Sequence, residues 1–447
     1  MNSQVGPSKS FDAATVLTVY VCLLLAIPSR MVVDPLGSAG APSTIMAIGA
    51  FFWWAWSHVQ RSRHAAERHQ PVRAAAVGWL LVMLIVYAQA MSSPMPAEEI
   101  SPADYGLLKL VGLLGILLVA NDGTPSLERI RSVLRLMVVG VGLVAVLGVI
   151  QYATNQLLVD RIEIPGLTTR AADEWALIER NGLARPSGTS THPIEYGVVL
   201  AMVLPIAITY AVKSPTRRWT YSAFLAVISF AAVLSLSRSA IVCSGVALVV
   251  LAMSWTTAAR LRAFVAVLGV AVVVYITVPG VLGTIARLFT GAFEDSSIAS
   301  RTGSYDLAGS FISEHPLLGR GFGTFLPKYW IFDNGYLGLL VETGILGLAG
   351  LLVLILVAAL AAGQARRMAL GDFDRALCQA LLASIAAGAC SLAFFDTFAF
   401  PQSAGCFFLI LGLAGATRRL AMTRAGTGEM AGAETAGTSQ AVVPDGG

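Results

Sequence analysis

A chain of 447 residues with 56% hydrophobic and only 13% charged residues is not a soluble globular domain, because soluble domains carry about a quarter charged residues. Its mean hydropathy is +0.73, and its net charge of +4 comes with no nucleic-acid-binding motif. The five cysteines all fall in apolar runs without metal-ligand spacing, which assigns them to the core rather than to redox chemistry or metal binding.

The apolar residues come in blocks of about 20, the length of helix that crosses a bilayer. In chain order twelve spans are predicted, at about 13–29, 42–60, 74–91, 105–120, 133–155, 193–212, 219–236, 239–257, 262–280, 333–362, 376–396 and 402–417. The first reads as a retained span rather than a signal peptide. The expected fold is therefore an all-α polytopic membrane protein with about 12 transmembrane helices in a bundle over residues 1–418, and a disordered cytoplasmic tail over 419–447.

The connections alternate between basic and acidic or mixed. An even number of spans puts both termini on the basic side, which gathers 19 of the 30 Lys and Arg. The positive-inside rule makes that side cytoplasmic. The long loops, 156–192 and 281–332, then lie outside, the second carrying short helices between spans nine and ten. Loops of this length in a compact protein are usually functional.

Several residues on the outer side carry candidate chemistry. Arg238, in SLSRSA between two apolar runs, has too little loop around it to leave the membrane surface. It either snorkels to lipid phosphates or, helped by Ser237 and Ser239, clamps a phosphate through its planar fork. Arg301 and Arg320 bracket a predicted short helix and the run HPLLGRGFGTF. Gly319, Gly321 and Gly323 there would admit backbone amides to an anion, or simply make a turn-rich loop.

Asp333 and Asn334 open the tenth span, where one helix cap explains one of them. Asp333 is then either a general base toward a sugar hydroxyl or a cap or cation partner. Glu342, nine residues further on, should face the protein interior. In RNGLARPSGTSTHPIEYG, Arg185, His192 and Glu195 gather at the entrance of the sixth span, where Thr191 or His192 would cap the helix. His192 and Glu195 either position a substrate or serve structure. Asp372-Phe373-Asp374 matches a metal-holding DxD pattern, but in a basic connection before a span it reads as a helix cap.

Four segments, RPSGTSTHP, LSLSRSA, EHPLLGRGFGTF and DNGYLGLLVETGILGL, in this order and each beside a span, resemble the O-antigen ligase and O-antigen polymerase superfamily. The resemblance covers about residues 180–350. It implies a multi-pass glycosyltransferase of the bacterial cytoplasmic membrane. Such an enzyme moves a glycan from a polyprenyl-(di)phosphate donor to a glycan or glycolipid acceptor at the outer face, with no cofactor and no metal. Arg238, Arg185 and Arg301, joined by Arg320, would hold the donor phosphates. His192, Glu195, Asn334, Tyr336 and Glu342 would position substrate. The ligase branch has a histidine where this chain has Asp333, which becomes the expected catalytic base of an inverting displacement. A flippase for an anionic lipid-linked saccharide is the alternative from another class, but it calls for internal repeats and midplane charge.

Overall fold

The computed structural model describes residues 12–60, 70–169, 179–180, 183–214, 216–290 and 296–439. Each of the twelve predicted apolar stretches contains a helix. In chain order these are α1 (Ala13–Ala26), α2 (Pro42–Gln60), α3 (Pro71–Ser92), α4 (Ala97–Gly123), α5 (Leu127–Thr154), α6 (Pro193–Lys213), α7 (Arg218–Leu234), α8 (Arg238–Ala252) and α9 (Thr257–Thr277). The second long loop supplies α10 (Val281–Thr290) and α11 (Ser296–Glu314), followed by α12 (Gly335–Met368), α13 (Asp372–Ser391) and α14 (Pro401–Ser439).

Eight of the described helices, α3 to α6, α9 and α12 to α14, are long and apolar enough to cross a membrane. Three more, α1, α7 and α8, are apolar but shorter than 18 residues. The departure from twelve uniform spans has a physical origin. At a rise of 1.5 Å per residue, the 15 residues of α8 reach only about 22 Å, short of a bilayer core of about 30 Å.

Polar residues set the helix starts. Asp12, Ser126, His192, Ser237, Thr256 and Asn334 each cap the helix that follows by accepting a backbone N–H. Within the bundle α6 is the most enclosed, with 89% of its apolar window buried, and α9 the least, with 6%. Leu261, Phe264, Val265, Leu268 and Ile276 on α9 are exposed, a surface that only lipid or another apolar phase tolerates. The chain is a multi-pass membrane protein.

One face of the bundle is knitted by arginines. Arg129 bonds Asp12 at 2.8 and 2.5 Å, and Arg131 bonds Asp374 at 2.9 and 2.5 Å. Arg419 donates to the carbonyls of Asn121 and Thr124. The DxD motif lies here as well. Gly371, not an aspartate, is the cap of α13, and Asp372 and Asp374 occupy the first turn, where negative charge suits the helix dipole. No group of three His, Cys, Asp or Glu that could hold a metal occurs among the described residues. The C-terminal stretch expected to be disordered is helical as far as Ser439, continuing α14; residues 440–447 lie outside the described part. Ala and Met are strong helix formers, which lets a segment with nothing to bury extend a helix already nucleated.

The opposite face carries the long loops. Two short antiparallel ribbons brace it, one pairing β1 (Met31–Val32) with β2 (Thr168–Thr169), the other β3 (Glu179–Arg180) with β4 (Leu183–Ala184).

Helix α12 is discontinuous. At Gly344 the backbone takes φ 61° and ψ −168°, a region essentially reserved for glycine. The segment 316–321 fills the break. Arg320 and Gly321 donate their amides to the carbonyls of Val341 and Glu342, at 3.3 and 2.8 Å, and Ile345 and Leu346 donate to Pro316 and Leu317, at 2.9 and 3.2 Å. Four backbone groups of α12 beside the break are thus bonded again, which is what irregular backbone at membrane depth requires.

Candidate functional site

The site is built on the connection from Arg185 to His192, the RPSGTST run. It would be costly to bury a loop whose backbone groups lacked partners; one glutamine bonds that backbone and a second holds the loop's side chains. Gln151 of α5 accepts from the amides of Ser187 and Gly188, at 3.2 and 2.8 Å, and donates to the Gly188 carbonyl. Gln402 of α14 accepts from Ser190 Oγ at 2.6 Å and donates to the Leu24 carbonyl and Thr189 Oγ1, at 3.0 and 2.9 Å. Gly188 sits at φ +59°, and a side chain there would collide with Val144 and Tyr196. The turn therefore needs glycine.

Glu195 completes this frame. Its Oε2 accepts from the Thr191 amide at 2.8 Å, and its Oε1 from the amides of Gln402 and Ser403, at 2.7 and 3.3 Å. Three residues after the cap, it satisfies orphan amides at the starts of α6 and α14 together. The geometry makes it a staple between two helices.

Three cationic or basic side chains hang on the frame. Arg185 is buried, and its Nε donates to the Ser235 carbonyl at 3.2 Å. His192 caps α6 by accepting from the Ile194 amide through Nδ1 at 3.0 Å. Its pKa is lowered to about 4, first by burial and then by the nearby charges of Arg185 and Arg30. The ring is neutral near pH 7, as its accepting Nδ1 requires. Arg30 follows α1. Its Nη2 donates to the Thr191 carbonyl at 3.3 Å, and its Nη1 reaches Asp160 at the same distance.

Ser235 leads directly to Arg238. Leu236 is fully buried with φ 48°, an uncommon backbone for a branched residue. This tight turn places Ser237 as the cap of α8, with its Oγ 2.8 Å from that of Ser239. Arg238 is the first residue of the helix and is half-buried. A helix N-terminus flanked by a guanidinium attracts anions through both its amides and its charge.

At the start of α12, Asn334 does the capping, accepting from the amides of Tyr336 and Leu337 at 3.1 and 3.2 Å. Asp333 stands just outside the helix and is half-buried. Gly335 donates to the Leu392 carbonyl at 2.7 Å, and Tyr336 Oη to that of Ala389 at 2.7 Å. The connection after α13 links this region to the first, since the Phe395 and Phe400 rings meet at a tilt with centroids 5.4 Å apart and Phe400 lies 6.1 Å from the His192 ring.

Two sequence-predicted residues are engaged elsewhere. Arg320 Nη2 bonds both oxygens of Glu99, at 2.7 and 2.8 Å, and its guanidinium lies over the rings of Phe311, Phe325 and Tyr329. Glu342 Oε1 accepts from the Phe325 amide at 3.1 Å. Both hold the segment that plugs α12. Arg301 lies on α11, with its side chain outside the described residues. Sequence reasoning missed Arg30, Gln151 and Gln402. The two glutamines were detectable as amides within apolar runs, where an unpaired polar group is expensive.

Residues 222–352 match the family model described as O-antigen ligase. This segment belongs to the O-antigen ligase/polymerase superfamily. The matched segment runs from α7 through the break in α12, and it contains Arg238, Arg301 and Asp333. Arg30, Arg185 and His192 stand outside it in sequence. No curated protein matches the chain.

Proposed function

We propose that the chain is a glycosyltransferase of O-antigen ligase or polymerase type that moves a glycan from a polyprenyl-(di)phosphate donor to a glycan or glycolipid acceptor. The observation that carries this reading is the seating of Arg238 at the head of α8, within the matched segment, on a turn whose Ser235 carbonyl is held by Arg185. The leaving group is a lipid (di)phosphate. Cations fixed before the reaction stabilise the negative charge that develops on it without reorganising. Arg238, Arg185 and Arg301 are the donor-phosphate residues. Asp333, with the cap supplied by Asn334, is the general base that takes the proton from the acceptor hydroxyl as its oxygen attacks the anomeric carbon. One displacement inverts configuration. The face carrying these groups is extracytoplasmic, the arginine-knitted face and both termini are cytoplasmic, and the membrane is the bacterial inner membrane.

The test is glycan transfer by purified protein in liposomes with a lipid-linked donor. Arg238→Ala and Asp333→Asn should each lower the transfer rate by about 10²–10³ while the protein stays folded and membrane-inserted. Wild-type rates from Asp333→Asn would remove Asp333 from the mechanism. Wild-type rates from Arg238→Ala would overturn the proposed phosphate site.

A further inference from the structure

Arg30 precedes the first ribbon strand, in a connection far in sequence from the matched segment. It is bound firmly into the site's frame, because the Ser29 amide donates to the Thr189 carbonyl at 2.9 Å and Thr189 Oγ1 donates to the Leu25 carbonyl at 2.8 Å. Its own side chain is only 10% exposed, yet its donors are poorly used. One Nη shares Asp160 at 3.3 Å, and that carboxylate is 51% exposed, so the pair is worth little. The other meets the Thr191 carbonyl at 3.3 Å. Its Nε is buried with no hydrogen-bond partner among the described residues. A buried charge with an idle donor is costly, and it is retained where an acceptor arrives from outside.

The position says which acceptor. Arg30 holds the carbonyl of the residue before His192, and Arg30 and Arg185 both act on the His192 ring. Arg185 in turn holds Ser235, three residues before Arg238. The guanidiniums of Arg30 and Arg185 thus both lie near the neutral His192 ring, and Arg185 is tied to the turn that leads to Arg238. Such a grouping suits a multiply charged oxyanion. We infer that Arg30 is a further binding residue for the donor's phosphate group, contributed by the connection between α1 and α2. This rests on the phosphate-donor reading above. Arg30 acts by binding and orienting the leaving group, not by proton transfer.

The experiment uses full-length protein in liposomes, with donor and acceptor KM measured separately, and thermal stabilisation by inorganic pyrophosphate as a second readout. Arg30→Gln should raise donor KM about tenfold or more with acceptor KM unchanged, and should abolish the pyrophosphate-induced rise in Tm. Arg30→Lys, which keeps the charge, should recover part of both. Asp160→Asn separates a structural role, since it removes the ion pair but leaves the cation, so donor KM should stay the same or fall. If Arg30→Gln leaves donor KM and the pyrophosphate response at wild-type values, or if Asp160→Asn raises donor KM as much as Arg30→Gln does, the inference is overturned while the transferase reading stands. A wild-type protein that neither transfers glycan nor responds to pyrophosphate overturns both.

Discussion

Arg320 and Arg30 lie on the same side of the bundle, and both are mostly buried, yet they are held in opposite ways. Arg320 has a carboxylate with a 1% exposed side chain on its Nη2 and three aromatic rings under its plane. Arg30 has a half-exposed carboxylate, a carbonyl and an Nε with no acceptor among the described residues. The same residue type is thus consumed by structure in one region and left with capacity in the other. What separates an arginine that holds the protein together from one that can take a ligand is whether a buried carboxylate already answers its charge and whether a buried donor is left over.

The sharpest way to break this comparison is to remove the carboxylate that defines the first region. Glu99 accepts from Arg320 Nη2 through both oxygens and from Tyr329 Oη at 2.5 Å. Glu99→Ala leaves a partly buried guanidinium without its counter-charge, at a cost of about 3–5 kcal/mol. The melting temperature in detergent should fall markedly, while the donor KM of the protein that remains folded should not change. A tenfold rise in donor KM without loss of stability would show that Arg320 also serves the phosphate.

The plug that Arg320 anchors provides the next test. Gly344 has φ 61°, and a Cβ there would overlap the Leu317 carbonyl; one at Gly319 would overlap Glu342. Gly344→Ala should cost about 1–3 kcal/mol from the backbone alone, with the overlap added, and should be read as reduced yield of folded protein by size-exclusion chromatography. A fully stable Gly344→Ala would mean that α12 can close its break.

In the second region the group to perturb is His192, through pH. Its pKa is about 4 in the folded protein against 6.5 in the unfolded chain. The unfolded state therefore takes up the proton first. Stability is complete above about pH 6.5 and is lost progressively as the pH falls toward 4, on the order of 3 kcal/mol in all. His192→Asn keeps a side chain able to cap α6, and it should flatten this part of the pH profile of Tm. An unchanged profile would place the acid sensitivity on another group.

The sequence disclosed the outline of both regions but not the difference between them. Period and length placed a helix in every apolar stretch, and the proline and cap residues of RPSGTSTHP marked the start of α6. The break in α12 was less legible. The glycines of HPLLGRG and the Glu-x-Gly of α12 were visible, but no local pattern states that one backbone segment fills the gap in another. Arg320 and Arg30 illustrate the same limit. Each looks like one more charge beside a span, and only the contact with Glu99, 221 residues away, shows that the first is spoken for. Glu195 had two readings in the sequence, positioning substrate or serving structure, and no local pattern states that its two oxygens reach the amides that open α6 and α14.

The smallest effect calibrates the rest. On the opposite face Arg375 pairs with Asp372 at 3.1 Å, with side chains 50% and 80% exposed. That distance is close to the 3.3 Å between Arg30 and Asp160. Removing a wet pair of this kind costs about 0–1 kcal/mol, so Arg375→Ala should barely move Tm and should leave transfer rates untouched. The Arg30–Asp160 contact, with one partner half-exposed, should be worth little more, and Asp160→Asn is expected to resemble Arg375→Ala in stability. Any larger functional loss on replacing Arg30 must then come from what its guanidinium does toward substrate. If Arg375→Ala instead destabilises the protein by several kcal/mol, distance alone would govern these pairs, and the contrast between consumed and available arginines would lose its physical basis.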